Sequence, residues 1–130
     1  MDLKVARVYR AEAYSEVVDT HDQQSIELGY TRELPLPLIL RSLNRVLLCS
    51  EEVIVMSRWS TGLVVVRSTW ARLGIISPPT IVDPGFHGIL TFEVFNGSRN
   101  SVIIRERDAL WTLIELDSNA ELYGGKYQGQ

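Results

Sequence analysis

The sequence predicts an all-β domain, a closed barrel or sandwich with one short helix, and three observations carry that prediction. Val-rich or alternating runs of strand length recur along nearly the whole chain, turn residues with a defined backbone role separate them, and only one short segment has helix boundaries. The runs fall at 3–9, 25–29, 45–49, 53–56, 62–66, 89–95, 101–105 and 110–116. Between them stand Pro35 and Pro37, Gly62, Ser77-Pro78-Pro79, Asp83-Pro84-Gly85 and Asn96-Gly97, where proline presets φ and glycine or asparagine accepts a positive one. Residues 11–18 read either as strand or as a helical turn. The helix is placed at 68–73, with Ser68 or Thr69 as its N-cap and Gly74 as its terminator. The segment 123–130 is a polar, glycine-rich tail.

Composition bounds the function. A chain of 130 residues, 45% hydrophobic and 22% charged with 5 prolines, reads as one globular domain spanning 1–130. It contains no run of about 18 apolar residues that could cross a bilayer. The start, Met1-Asp2-Leu3-Lys4, lacks the basic and apolar segments of a signal peptide, so a cytoplasmic location is expected, with no membrane partner. The single Cys49 cannot form an internal disulfide. A net charge of -3 argues against wrapping a nucleic-acid backbone. Zinc chemistry is not expected either, because His21, His87 and Cys49 are scattered and no His-x-Glu or Cys-x-x-Cys element occurs.

Three segments carry candidate chemistry. The first is Arg67-Ser68-Thr69-Trp70-Ala71-Arg72, where hydroxyls and two arginines surround the start of the predicted helix. Such a segment is either an ordinary capped turn with surface arginines or a cradle for phosphate, which arginine grips through paired hydrogen bonds. It is not a Walker loop. The second is Asp83-Pro84-Gly85-Phe86, a turn in which Asp83 can accept from a sugar hydroxyl or position a water, and Phe86 can stack on a ligand or wall it.

The third is Glu93. Alternation along 89–95 sets Leu90, Phe92 and Val94 on one strand face and Ile89, Thr91, Glu93 and Phe95 on the other. Apolar neighbours around a carboxylate disfavour its ionised form and bring it toward the range useful for exchanging protons. The alternative is a solvent-facing glutamate on an edge strand.

Taken together, Arg67-Ser68-Thr69-Trp70-Ala71-Arg72-Leu73-Gly74-Ile75, Pro78 to Phe86, Gly88, Thr91 and Glu93, and the terminal Tyr123 with Gly125-Lys126-Tyr127-Gln128-Gly129-Gln130, resemble dCTP deaminase of the archaeal type. The same superfamily includes dUTPase. The resemblance is tight over 62–96 and 123–130 and looser over 24–29 and 45–55. It implies a β-clip fold, a dUTPase-like distorted jelly-roll barrel, assembled as a homotrimer whose active sites are shared between subunits.

The implied reaction is zinc-independent hydrolytic removal of ammonia from C4 of the cytosine of dCTP, giving dUTP; some archaeal members continue to dUMP and diphosphate. By position, Glu93 corresponds to the general acid/base, Arg72 to the arginine supporting the reacting centre, and Ser68 and Arg67 to catalytic-site and phosphate contacts, with the hydroxyl of Thr69 beside them. Asp83 corresponds to the residue near the deoxyribose, with Phe86 in the same segment. Tyr123, Lys126 and Gln130 match a tail that covers the triphosphate. Magnesium in the family rides on the phosphates and has few direct protein ligands.

Within the superfamily, a glutamate at position 93 favours deamination, since dUTPases usually carry an apolar residue there. The chain departs from the family at Arg105-Glu106-Arg107-Asp108, where a Pro-Gly-Asp turn is usual, and Trp111 and Glu115 are likewise unusual. It also stops at Gln130, where family members continue, and begins without their initial helical region. Two other readings stand beside deamination: a pyrophosphatase of dUTPase type, alone or with deamination, and a degenerate trimer that binds nucleotide or a protein without catalysis.

Overall fold

The architecture is mostly β, as a computed structural model of the chain shows; the structure describes residues 1–10, 17, 19–22 and 32–117. Among the described residues ten strands form in order: β1 Asp2–Tyr9, β2 Glu33–Leu34, β3 Leu38–Leu40, β4 Arg45–Val55, β5 Ser60–Val66, β6 Ile75–Ile76, β7 Thr80–Val82, β8 His87–Asn96, β9 Val102–Ile104 and β10 Ala109–Asp117. One helix, α1 Ser68–Arg72, lies between β5 and β6. The main sheet runs β6-β8-β4-β1-β10-β5-β7, with β2 added beside β1, while β3 and β9 pair separately. Every strand pair is antiparallel. This curled, mostly-strand arrangement with one short helix is the all-β architecture that the sequence predicts.

Period-2 patterning builds it. On β8, Leu90, Phe92 and Val94 are buried while Ile89, Thr91 and Glu93 are exposed, as the alternation predicts. Leu3, Val5 and Val8 of β1 enter the same core as Val46 and Leu48 of β4 and Leu110, Trp111 and Leu113 of β10. Trp111 is fully buried against Phe92, ring centroids 4.4 Å apart and tilted, so this residue, unusual for the family, supplies core volume.

The runs 45–49 and 53–56, read as separate strands, are largely one strand. A bulge between Cys49 and Val53 absorbs the irregular spacing, and the Ser50 hydroxyl closes it by donating to the Glu52 carbonyl and accepting from the Leu90 N–H. The short strands β2, β3, β6 and β7 were not anticipated; two or three residues are too few to show a period. The expected strand at 25–29 lies outside the described residues, as does most of 11–18.

The turn at 105–108 survives its lost glycine. Arg107 takes φ +69°, the left-handed conformation that glycine would occupy without strain, while Asp108 accepts the Arg105 N–H on its carboxylate at 2.8 Å. Backbone bonds from Arg107 N–H to Val5 O and from Val5 N–H to Asp108 O then dock the turn on β1. A second buried device holds the end of β8. The Asn96 amide donates to Leu40 O and Asn100 O, and its oxygen accepts the Ser98 N–H and hydroxyl.

Candidate functional site

Glu93 projects from the outward face of β8; β4 pairs with it on one side, while on the other β6 reaches only Phe95 and Asn96 and the Ser77 hydroxyl donates to the Glu93 carbonyl at 2.7 Å. Its side chain is exposed, as in the solvent-facing alternative. Its apolar company is real but comes from neighbouring strands. Glu93 pairs with Leu47 on β4, Leu47 lies opposite Tyr9 on β1, and Tyr9 lies opposite Glu33 on β2, a single row across four strands. Thr91, Cys49 and Arg7 form the next row, with Cys49 Sγ 3.4 Å from Thr91 Oγ1.

These rows enclose a depression of about 490 Å³ lined by Tyr9, Leu47, Cys49, Thr91 and Glu93. Leu47 is only 4% exposed yet stands apart from the core cluster, in keeping with its place on the outward side of β4 between core-facing Val46 and Leu48. It forms an apolar floor. A hydrogen bond from the Arg7 guanidinium to the Tyr9 side chain, with the further attraction of Tyr9 and Glu33, holds Arg7 above the ordinary arginine range. In the sequence Tyr9 and Leu47 have no assigned site role, Cys49 stands only as the single cysteine, and Thr91 appears only among the residues that carry the resemblance. The period-2 patterns of β1 and β4 could have placed them on one face, but only the pairing register brings them to Glu93.

The arginine segment is built differently from its expected form. Arg67, with φ -69° and ψ 147°, is the N-cap, and no side chain caps the helix, so neither Ser68 nor Thr69 plays the role predicted for it. Ser68 begins the helix itself, and its hydroxyl is therefore not in the N-cap position from which it could accept a backbone N–H. Gly74 does terminate α1, at φ +91°, where a Cβ would come within 2.7 Å of Ser98 Cβ. With five residues α1 sums few peptide dipoles, so its start presents only a weak positive end. Ser68, Thr69 and Arg72 are exposed, and Arg67 is ion-paired with Asp2. Trp70 anchors the helix, donating its indole N–H to Ala109 O at 3.0 Å.

Asp83 to Phe86 form the expected turn. Phe86 N–H donates to Asp83 O, with Pro84 second and Gly85 third at φ +80°, the arrangement of a type II turn. Asp83 is exposed, whereas Phe86 packs part-buried against the core and accepts the Met56 N–H at 2.8 Å. None of residues 67–72, 83 or 86 lines the Glu93 depression. Tyr123, Lys126 and Gln130 lie outside the described residues. Among the described residues no group of three or more His, Cys, Asp or Glu side chains comes together to hold a metal ion, and no helix is long and apolar enough to cross a membrane.

Residues 1–114 match the family model described as dCTP deaminase-like. The chain belongs to the dCTP deaminase-like family. Among its relatives, the dCTP deaminase of Pyrobaculum neutrophilum is 36% identical over 136 residues, covering 100% of this chain and 75% of that protein. The dCTP deaminase of Aeropyrum pernix is 44% identical over 89 residues, 67% of this chain and 50% of that one.

Solved structures of the dCTP deaminase-like family and of dUTPases share the fold at low identity. The 2'-deoxycytidine 5'-triphosphate deaminase of Agrobacterium tumefaciens superposes with a TM-score of 0.68 at 15% identity, over 90% of this chain and 41% of that one. The dUTPase of EIAV gives 0.58 at 14% identity, over 95% and 98%. A dUTPase of Staphylococcus aureus phage phi11, whose structure concerns a structural Mg(II) ion, gives 0.57 at 14%, over 95% and 99%.

Proposed function

We propose that this chain is a hydrolase that deaminates dCTP to dUTP and ammonia without zinc, within the cytoplasmic nucleotide pool. The observation that carries the reading is Glu93 on the open face of β8, inside an apolar-floored depression, in a chain of the dCTP deaminase-like family. A carboxylate so placed suits general acid–base work: it takes a proton from water as the oxygen attacks C4 of cytosine and passes it to N3, then takes the remaining hydroxyl proton from the tetrahedral centre and passes it to the amino group as the C4–N bond breaks and ammonia leaves. Arg72 and Ser68 support the reacting centre. Arg67 and Thr69 contact phosphate, Asp83 and Phe86 the sugar, and Tyr123, Lys126 and Gln130 cover the triphosphate.

That division of labour calls for a homotrimer with shared sites, and what supports it is the separation within one chain of the 67–72 segment from the lining of the Glu93 depression. Residues 1–130 act as one domain, with 123–130 as the covering tail. Magnesium is carried by the triphosphate, where it neutralises phosphate charge. The test is incubation with magnesium and each of dCTP, dUTP and CTP, followed by chromatography. dUTP and ammonia from dCTP, lost in Glu93→Gln, support the reading, while intact dCTP overturns it.

A dUTPase activity, alone or following deamination, is the second reading, favoured by the exposed Asp83 at its type II turn. Diphosphate from dUTP, abolished in Asp83→Asn and kept in Glu93→Gln, would select it. The degenerate, non-catalytic reading loses one support, because Arg107 builds the 105–108 turn without a glycine.

A further inference from the structure

The outward face of β1 carries a residue that the proposed reaction has not used. Tyr9 sits two strands from Glu93 in the same row, with Leu47 between them. Neighbouring strands lie about 4.8 Å apart, so the two backbones are about 10 Å apart, room for one aromatic heterocycle over the Leu47 floor. The depression of about 490 Å³ falls within the usual range of small-molecule sites, ~300–1,000 Å³.

Tyr9 lines the depression together with Glu93, and Arg7 on the same strand lies opposite Cys49 of β4. The Tyr9 side chain brings an aromatic ring to that lining. A flat apolar surface beside a proton-transferring carboxylate is what a planar, neutral base needs for orientation.

The geometry points to Tyr9 as the second wall of the base pocket, its ring contacting the heterocycle on which Glu93 acts. The inference rests on the deaminase reading for the identity of the ligand, a pyrimidine deoxynucleotide.

The test measures dCTP binding by calorimetry and ammonia release in parallel on the full chain, with Tyr9→Phe and Tyr9→Leu. Stacking on an aromatic ring predicts that Tyr9→Leu weakens dCTP binding about tenfold or more, while Tyr9→Phe stays within about threefold of the parent. A reagent modifying Cys49, which lines the same depression, should react more slowly with dCTP present. Equal binding by Tyr9→Leu, or labelling of Cys49 unaffected by dCTP, overturns the assignment even if deamination is intact. Binding that depends on Tyr9 without ammonia release keeps it and overturns the deaminase reading alone. A parent chain that binds no dCTP overturns both. Circular dichroism of Tyr9→Leu guards against misfolding, and a misfolded variant leaves the Cys49 protection result to decide.

Discussion

The indole of Trp70 reaches from α1 to the carbonyl oxygen of Ala109 on β10, 3.0 Å away. No residue of α1 is fully buried, so this bond and the partial burial of the Trp70 ring do most to set where Arg67, Ser68 and Arg72 stand. Trp70→Phe keeps an aromatic ring but loses the bond. It should cost about 1 kcal/mol, read as a fall of about 4 °C in Tm, and lower dCTP turnover about tenfold or more through misplacement of the arginines. Turnover unchanged at that loss of stability would remove α1 from the chemistry.

Glu93 separates stability from activity. Its exposure predicts that Glu93→Gln leaves unfolding within about 0.5 kcal/mol of the parent while dCTP deamination falls at least about 10²-fold. Denaturant unfolding and an ammonia assay on one preparation provide both numbers.

Arg67 is paired with Asp2, side chains about half exposed. Such a pair adds about 0–1 kcal/mol to stability, so Asp2→Asn should hardly move Tm. If Arg67 grips phosphate, removing the competing carboxylate lowers the KM for dCTP, most clearly at low salt where screening is weak. A KM that rises or stays fixed would count against Arg67 as a phosphate contact.

Asn96 makes four hydrogen bonds from a fully buried side chain. Asn96→Ala strands the Leu40 carbonyl and the Ser98 N–H, and should cost about 2–4 kcal/mol. Urea unfolding would show it as a lower midpoint with little change in slope.

Arg107 predicts the opposite sign. Relief of its left-handed backbone in Arg107→Gly should raise stability by about 0.5–1 kcal/mol, after the extra freedom of glycine in the unfolded chain is counted. Arg107→Ala, which keeps the strain and loses only the 3.7 Å pair with Glu51, should not.

What could be read from sequence follows from what a linear pattern can encode. The faces of β8, the turn at Asp83-Pro84-Gly85-Phe86 and the Gly74 stop are local events, set by residues within a few positions, and all three stand in the structure. The alternation at 89–95 showed which residues share a face with Glu93 but not the rows that Leu47, Tyr9, Thr91, Cys49 and Arg7 complete, because strand register is a long-range property. The N-cap was misplaced by a position because Ser68 and Thr69 have capping side chains, yet the chain is still extended at Arg67 and already helical at Ser68.

The sheet's central pairing has a consequence for how the polypeptide is made. β1 needs β10, and the bond from the Met1 amino group to Leu113 O joins positions 112 apart in the chain. During vectorial synthesis β4 can meet β8 early, whereas Leu3 and Val5 keep one flank uncovered until nearly all the later strands have emerged. Closing so long a loop is slow in entropic terms, so the nascent chain carries an unpaired β1 edge and depends on rapid completion or chaperone shielding to escape aggregation.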